Sequence, residues 1–159
     1  MRPPLLNQRL GQNESGFDIG GRAYVARDFY TYEEDFLEAD LIAGATLNGS
    51  IEIQADSDFV WQKACFFADL AGAAQTFNTL VIPLVTVQLV DTGSGRNLLE
   101  LAAPITSMFG RGELPFVLPI PRLFFARSTI QVQISNFSAA TAYGLRLSFI
   151  GYKAYPKGF

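Results

Sequence analysis

Ser128-Thr129-Ile130-Gln131-Val132-Gln133-Ile134-Ser135 decides the fold class. Ile130, Val132 and Ile134 alternate with polar neighbours, so three apolar side chains share one face and the amides share the other. A strand with one face buried reads in this way. Downstream, Asn136-Phe137-Ser138 is a turn signal, and Leu145-Arg146-Leu147-Ser148-Phe149 resumes the alternation, which runs on through Ile150-Gly151-Tyr152-Lys153. Upstream, Pro115 to Pro121 holds three prolines and reads as an extended edge or entry segment, because proline donates no ladder hydrogen bond.

The same pattern recurs further back. Val85-Thr86-Val87-Gln88-Leu89 alternates within an apolar run from Leu80 to Val90, with Pro83 marking an edge or bulge. Asp91 to Asn97 reads as a hairpin loop into Leu98-Leu99-Glu100-Leu101, and Pro104 to Gly112 as a further loop. Phe59 to Leu70 is a long apolar strand, Asp56-Ser57-Asp58 before it a turn, and Ala71 to Gln75 after it a small-residue connector. Ile51-Glu52-Ile53-Gln54 again has period two. Residues 22–32 read as a first strand, and the acidic stretch Glu33 to Asp40 as a solvated loop or short helical turn. Residues 1–21, with Pro3, Pro4 and four glycines, read as an N-terminal arm ahead of a single domain spanning 22–159. Roughly eight short strands with turn signals between them predict an all-β, jelly-roll-like β-sandwich with an extended N-terminal arm.

Composition sets the chemistry. The 159 residues suit one domain; 49% are hydrophobic and 17% charged, which excludes a disordered chain. Histidine is absent, so no Ser-His or Cys-His nucleophile pair and no imidazole metal ligand can form within the chain. The single cysteine, Cys65, reads as a small core residue between apolar neighbours. Met1 to Leu6 lacks the apolar core of a secretory signal, and no apolar run approaches a membrane span. Asn13, Asn48 and Asn136, each followed by a serine two residues on, therefore read as turns. Residues 1–69 carry 12 acids against 5 bases, and residues 70–159 carry 3 against 7. Such asymmetry supports contact between neighbouring copies or is neutralised within one domain. No basic cluster points to nucleic acid.

Several strings imitate catalytic or binding motifs. Asp91-Thr92-Gly93-Ser94 matches the signature of aspartic proteases, whose chemistry needs two carboxylates sharing a proton. One motif per chain would demand a dimer, with Phe149-Ile150-Gly151 as the companion element. Asp and Gly are equally the residues of a hairpin turn. Gly93-Ser94-Gly95 lacks the Lys-Ser/Thr of a phosphate loop, and the acids at 33–40 and at Asp56 and Asp58 lack EF-hand spacing. Tyr24, Phe29, Tyr30 and Tyr32 with Arg22 and Arg27 suit a protein interface, to which Arg2 and Arg9 of the arm are added as candidate partner-binding residues. Catalytic, metal-binding and cofactor-binding residues are not assigned, and neither is a small-molecule substrate.

Pro115 to Pro119, the 128–135 strand, Asn136-Phe137-Ser138 and Leu145 to Lys153, with Ile51 to Phe59 in the first half, resemble small jelly-roll virion proteins of tailed bacteriophages, notably capsid decoration or cement proteins. The resemblance covers roughly two-thirds of the chain as a pattern of strands and turns. It implies a structural protein on the outside of a capsid, made in the bacterial cytoplasm. It would form homotrimers that bridge neighbouring copies of the major capsid protein, with an arm ordering on a neighbour and no cofactor. A tail, connector or head-fibre component is the alternative, and a dimeric protease using Asp91 the remote one.

Overall fold

The computed structural model describes residues 16–70 and 81–157. In chain order the elements are β1 (Phe17–Ile19), β2 (Arg22–Phe36), β3 (Thr46–Glu52), β4 (Asp58–Asp69), β5 (Val85–Asp91), β6 (Arg96–Asn97), β7 (Ala103–Pro104), a helical turn α1 (Ile105–Met108), β8 (Gly110–Arg111), β9 (Phe116–Phe124), β10 (Thr129–Asn136) and β11 (Gly144–Pro156). Two sheets pack face to face as an all-β sandwich. Sheet A runs β1-β2-β11-β4, with β8 and β9 on the far side of β4; sheet B runs β3-β10-β5, with β6 and β7 beyond. The pairing is nested. β2 joins β11, β3 joins β10, β4 joins β9, and β5 joins β6 and β7, all antiparallel. The doubled chain is then wound so that β11 also pairs with β4 and β10 with β5.

Alternation places the core. Ile130, Val132 and Ile134 of β10 are buried, as are Val85, Val87 and Leu89 of β5. From sheet A come Leu145, Leu147 and Phe149, with Phe59, Trp61, Ala64 and Phe66. Trp61 packs at 5.0 Å from Phe149, and Phe109 meets Phe149 edge-on at 5.5 Å. β4 shifts register between Trp61 and Lys63, and the indole N–H donates to the Lys63 carbonyl at 2.7 Å. Burying the ring therefore strands no donor. Gly151 lies opposite this shift, where a Cβ would run into the Val60 backbone.

Several expectations are corrected. Among the described residues eleven strands form where about eight are expected: β1 and the two-residue β6, β7 and β8, which carry no sequence periodicity, are added, and Leu98 to Leu101 is lost. The acidic stretch is strand as far as Phe36; only residues 37–40 turn, with Leu41 N–H closing onto the Leu37 carbonyl. Asp58 is the buried start of β4 and not a turn residue. Leu98 to Leu101 leaves the ladder after Asn97, and Pro104 to Gly112, expected as loop, holds α1 and β8. The Leu80 to Val90 strand begins only at Val85; Leu80 and the Ala71 to Gln75 connector lie outside the described residues. Cys65 is half-buried, because alternation turns Ala64 and Phe66 inward and Cys65 out beside Ser148. Residues 17–21, read as arm, form β1 and its turn, where Gly20 and Gly21 supply φ of 62° and 81°.

Candidate protein-docking surface

The aromatic and arginine residues singled out from sequence separate by face. Tyr24 is fully buried and donates its hydroxyl to Asp58 Oδ2 at 2.7 Å. Arg22 Nη1 donates to the same oxygen at 2.9 Å, and the Ala126 N–H donates to Asp58 Oδ1 at 2.7 Å. Burial, reinforced by Asp58, pushes the Tyr24 phenol far above its ordinary range. Tyr24 thus anchors a small second core with Val60 and Ala154, covered by Phe17 and Ile19 of β1. Tyr32 is also core; its hydroxyl accepts the Gln54 N–H at 3.0 Å, and burial raises its pKa. Half-buried Tyr30 faces Lys153, whose Nζ lies 4.5 Å from the ring centre and hydrogen-bonds Gln54. Only Phe29, 76% exposed, and Arg27 remain open on the outer face, with Arg27 over the Phe17 and Tyr152 rings. Arg2 and Arg9 lie outside the described residues.

Asp91 is the hub of its own turn. Its Oδ1 accepts from the Gly93 and Ser94 N–H groups, and its Oδ2 accepts from Ser94 Oγ at 2.7 Å and Arg122 Nη2 at 2.9 Å. Burial pushes this carboxyl up, but the Ser94 hydroxyl and Arg122 outweigh it and hold the pKa below the usual carboxylate value. A proton-sharing dyad needs the opposite: a carboxylate free to approach its twin, with one pKa raised. Gly93-Ser94-Gly95 leads into β6 and not into a helix, so it presents no phosphate loop. Among the described residues no three Asp, Glu or Cys side chains converge as metal ligands, and no helix is long and apolar enough to cross a membrane.

No family model, curated protein or solved structure matches this chain.

What stands out instead is exposed apolar surface, in two places. The first is the edge formed by β9. Phe116 and Val117 pair with Ala64 and Lys63, and Arg122 to Phe124 pair with Trp61 to Phe59. Between these stretches β9 sets four residues, Leu118-Pro119-Ile120-Pro121, against Gln62 alone and so bulges opposite the register shift in β4, with Leu118 packed against the core. Ile120 is 80% exposed at the crest, with Val117 and Leu114 also exposed along the strand and its entry. Two prolines fix the backbone on either side of Ile120, making a stiff apolar knob. The prolines mark this segment as an edge in the sequence; the exposure of Ile120 carries no such mark, because no alternation flags a residue whose neighbours are both proline.

The second place is the end of the sandwich where β2, β4 and β10 finish. Leu37, Ile42, Phe67, Leu84 and Phe137 are exposed there. Two adjoining clefts of about 400 and 500 Å³ share Asp35, Phe36 and Leu37 in their walls. The loops are tied together by Asn136, whose amide donates to the Leu41, Ile42 and Thr141 carbonyls.

Proposed function

We propose that this chain is a structural virion protein, a decoration module that binds the outside of a tailed-phage capsid and bridges neighbouring coat subunits, with a trimer as its working assembly. The observation that carries the reading is the Pro119-Ile120-Pro121 knob on the β9 edge. An isolated surface leucine needs no explanation, but a proline-braced apolar crest flanked by further exposed apolar residues marks a contact site. Burying Ile120 and Val117 on a partner would contribute about 3 kcal/mol at ordinary transfer values, and the prolines lower the entropy of ordering the segment. The nested antiparallel pairing agrees with the double Greek-key winding of jelly rolls, an architecture of virion proteins among others. The sequence resemblance points the same way, and the chemistry of Asp91 serves its turn.

The test is re-addition of purified protein to capsids that lack it, with occupancy measured after sedimentation. Wild type should saturate the shell, and a folded Val117→Asp/Ile120→Asp variant should bind at least tenfold more weakly. Equal occupancy of the variant would remove the β9 edge from the contact. Wild type that ignores the shell, or is found on tails or a portal vertex instead, would overturn the decoration role.

A further inference from the structure

We propose that the open edge of β3 is a docking site for an extended, cationic segment of another protein, added to sheet B as a further strand. β3 ends sheet B, and β10 is its one ladder partner among the described residues. The hydrogen bonds on either side of it show which of its groups are free. The Asn136 N–H donates to the Ala45 carbonyl, and Ile53 donates to Ser128 and accepts from Arg127. Residues 45 and 53 thus bond across to the chain of β10. Antiparallel pairs alternate between bonded and non-bonded, so Leu47, Gly49 and Ile51 also bond β10, while Thr46, Asn48, Ser50 and Glu52 turn N–H and carbonyl outwards. Ser50 agrees with this parity, since its N–H goes to Glu34 Oε1 of β2 at 3.2 Å. Apart from that carboxylate the edge is little protected. β3 holds no proline and one charge, Glu52, whereas β9 carries two prolines at its edge.

Edge and charge together choose the occupant. A row of alternate free backbone groups is matched by another extended chain, not by a helix. A cleft of about 500 Å³ lies along the edge, with Leu47 and Asn48 on one wall and the end of β2 and the turn after it on the other. Its lining holds three carboxylates, Glu34, Asp35 and Asp40, and no cation. Asp35 is taken by Arg146, but the Asp40 carboxylate has no partner among the described residues. A second copy of β3 would bring like carboxylates into the same space; a strand bearing lysine or arginine brings their complement. Such a strand takes the Ser50 N–H with its own carbonyl, and the released Glu34 pairs with its cation. Glu34 ties this edge to β2, on the opposite side of the sandwich from β9, so the site is independent of the decoration contact.

The probe is a fluorescein-labelled octapeptide of alternating lysine and valine, titrated with the full chain and followed by anisotropy at low salt. It should bind with a Kd of about 0.1 mM or tighter, and the same peptide with glutamate for lysine should not bind. Asn48→Pro removes an outward N–H that β10 does not use, so the domain should stay folded by circular dichroism while affinity falls at least about tenfold. Asp40→Lys, at an unpaired surface carboxylate, should weaken binding about fivefold without touching the ladder. A lysine peptide that fails to bind, as it would if the chain's own Arg2 and Arg9 filled the cleft, overturns the proposal. Unchanged affinity in folded Asn48→Pro would reduce the contact to charge alone and overturn strand addition. Equal binding of the glutamate peptide, or no effect of Asp40→Lys, would overturn the choice of a cationic partner.

Discussion

Asn136→Ala should unfasten the loop end of the sandwich at a large cost in stability. Asn136 is 2% exposed at the end of β10. Its Nδ2 donates to the carbonyls of Leu41, Ile42 and Thr141 at 3.0, 3.1 and 2.8 Å, and its Oδ1 accepts the Ser138 N–H at 2.9 Å. Two protons serve three carbonyls, so the side chain is counted as three net hydrogen bonds. At about 1 kcal/mol each, with a further increment for carbonyls stranded away from water, truncation costs about 3–4 kcal/mol. Domains of this kind are stable by about 5–15 kcal/mol, so the loss is a large fraction of the whole. In urea, with a slope of roughly 2 kcal/mol per molar, the midpoint should fall by about 1.5–2 M. A loss below about 1 kcal/mol would refute the reasoning. Asn136→Asp sharpens the test, since it keeps the acceptor and turns a carboxylate towards three carbonyl oxygens. Its folded pKa must rise, so this variant should be most stable in acid and lose stability as pH climbs through that raised value. An aspartate variant as stable as wild type at pH 7 would also sink the account.

Asp91→Asn leaves Arg122 without a countercharge and should cost about 2 kcal/mol at neutral pH, discounted because Arg122 is partly solvated. Asp91 has a lowered folded pKa, so its contribution is present above the unfolded value and lost as pH falls through the folded one; urea titrations at several acid pH values should show that slope flattened in the variant. Glu34 has the opposite sign. Burial raises its pKa, countered in part by the Ser50 N–H, so its ionisation costs stability as pH rises from the unfolded value through the folded one. Glu34→Gln keeps the acceptor for Ser50 and should melt higher than wild type at pH 7 with no difference in acid; a lower melting point at pH 7 would show that the charge is needed.

The strands with one buried face were legible because alternation is a local signal. β10, the start of β11 and the end of β3 follow it residue by residue, and the prolines of Pro115 to Pro121 placed β9 at an edge. Where local and distant terms compete, local reading failed. Glu33 to Phe36 looks like a solvated loop until Arg146, 111 residues from Asp35, is laid beside it. The aromatic group from Tyr24 to Tyr32 divided into core and surface because β2 is buried by different partners along its length: β1 and the second cluster near Tyr24, the main core near Tyr32. No period in the sequence announces that change. Asp58 was hidden for a similar reason, since its three donors come from Arg22, Tyr24 and Ala126.

The uneven charge along the chain takes on meaning from the strand order. β11 lies between β2 and β4, so second-half cations meet first-half acids: Arg146 pairs with Asp35 and Glu33, and Lys153 reaches Asp56. Arg22 is consumed by Asp58, and Arg122 by Asp91. Neutralisation within the domain therefore goes as far as the pairing goes. The β2–β11 register ends at Phe36 opposite Leu145, and Glu38 and Asp40 follow it, where no strand residue lies across from them. Glu38 and Asp40 thus stand beyond the reach of β11's cations, at the end where Leu37 and Ile42 are exposed.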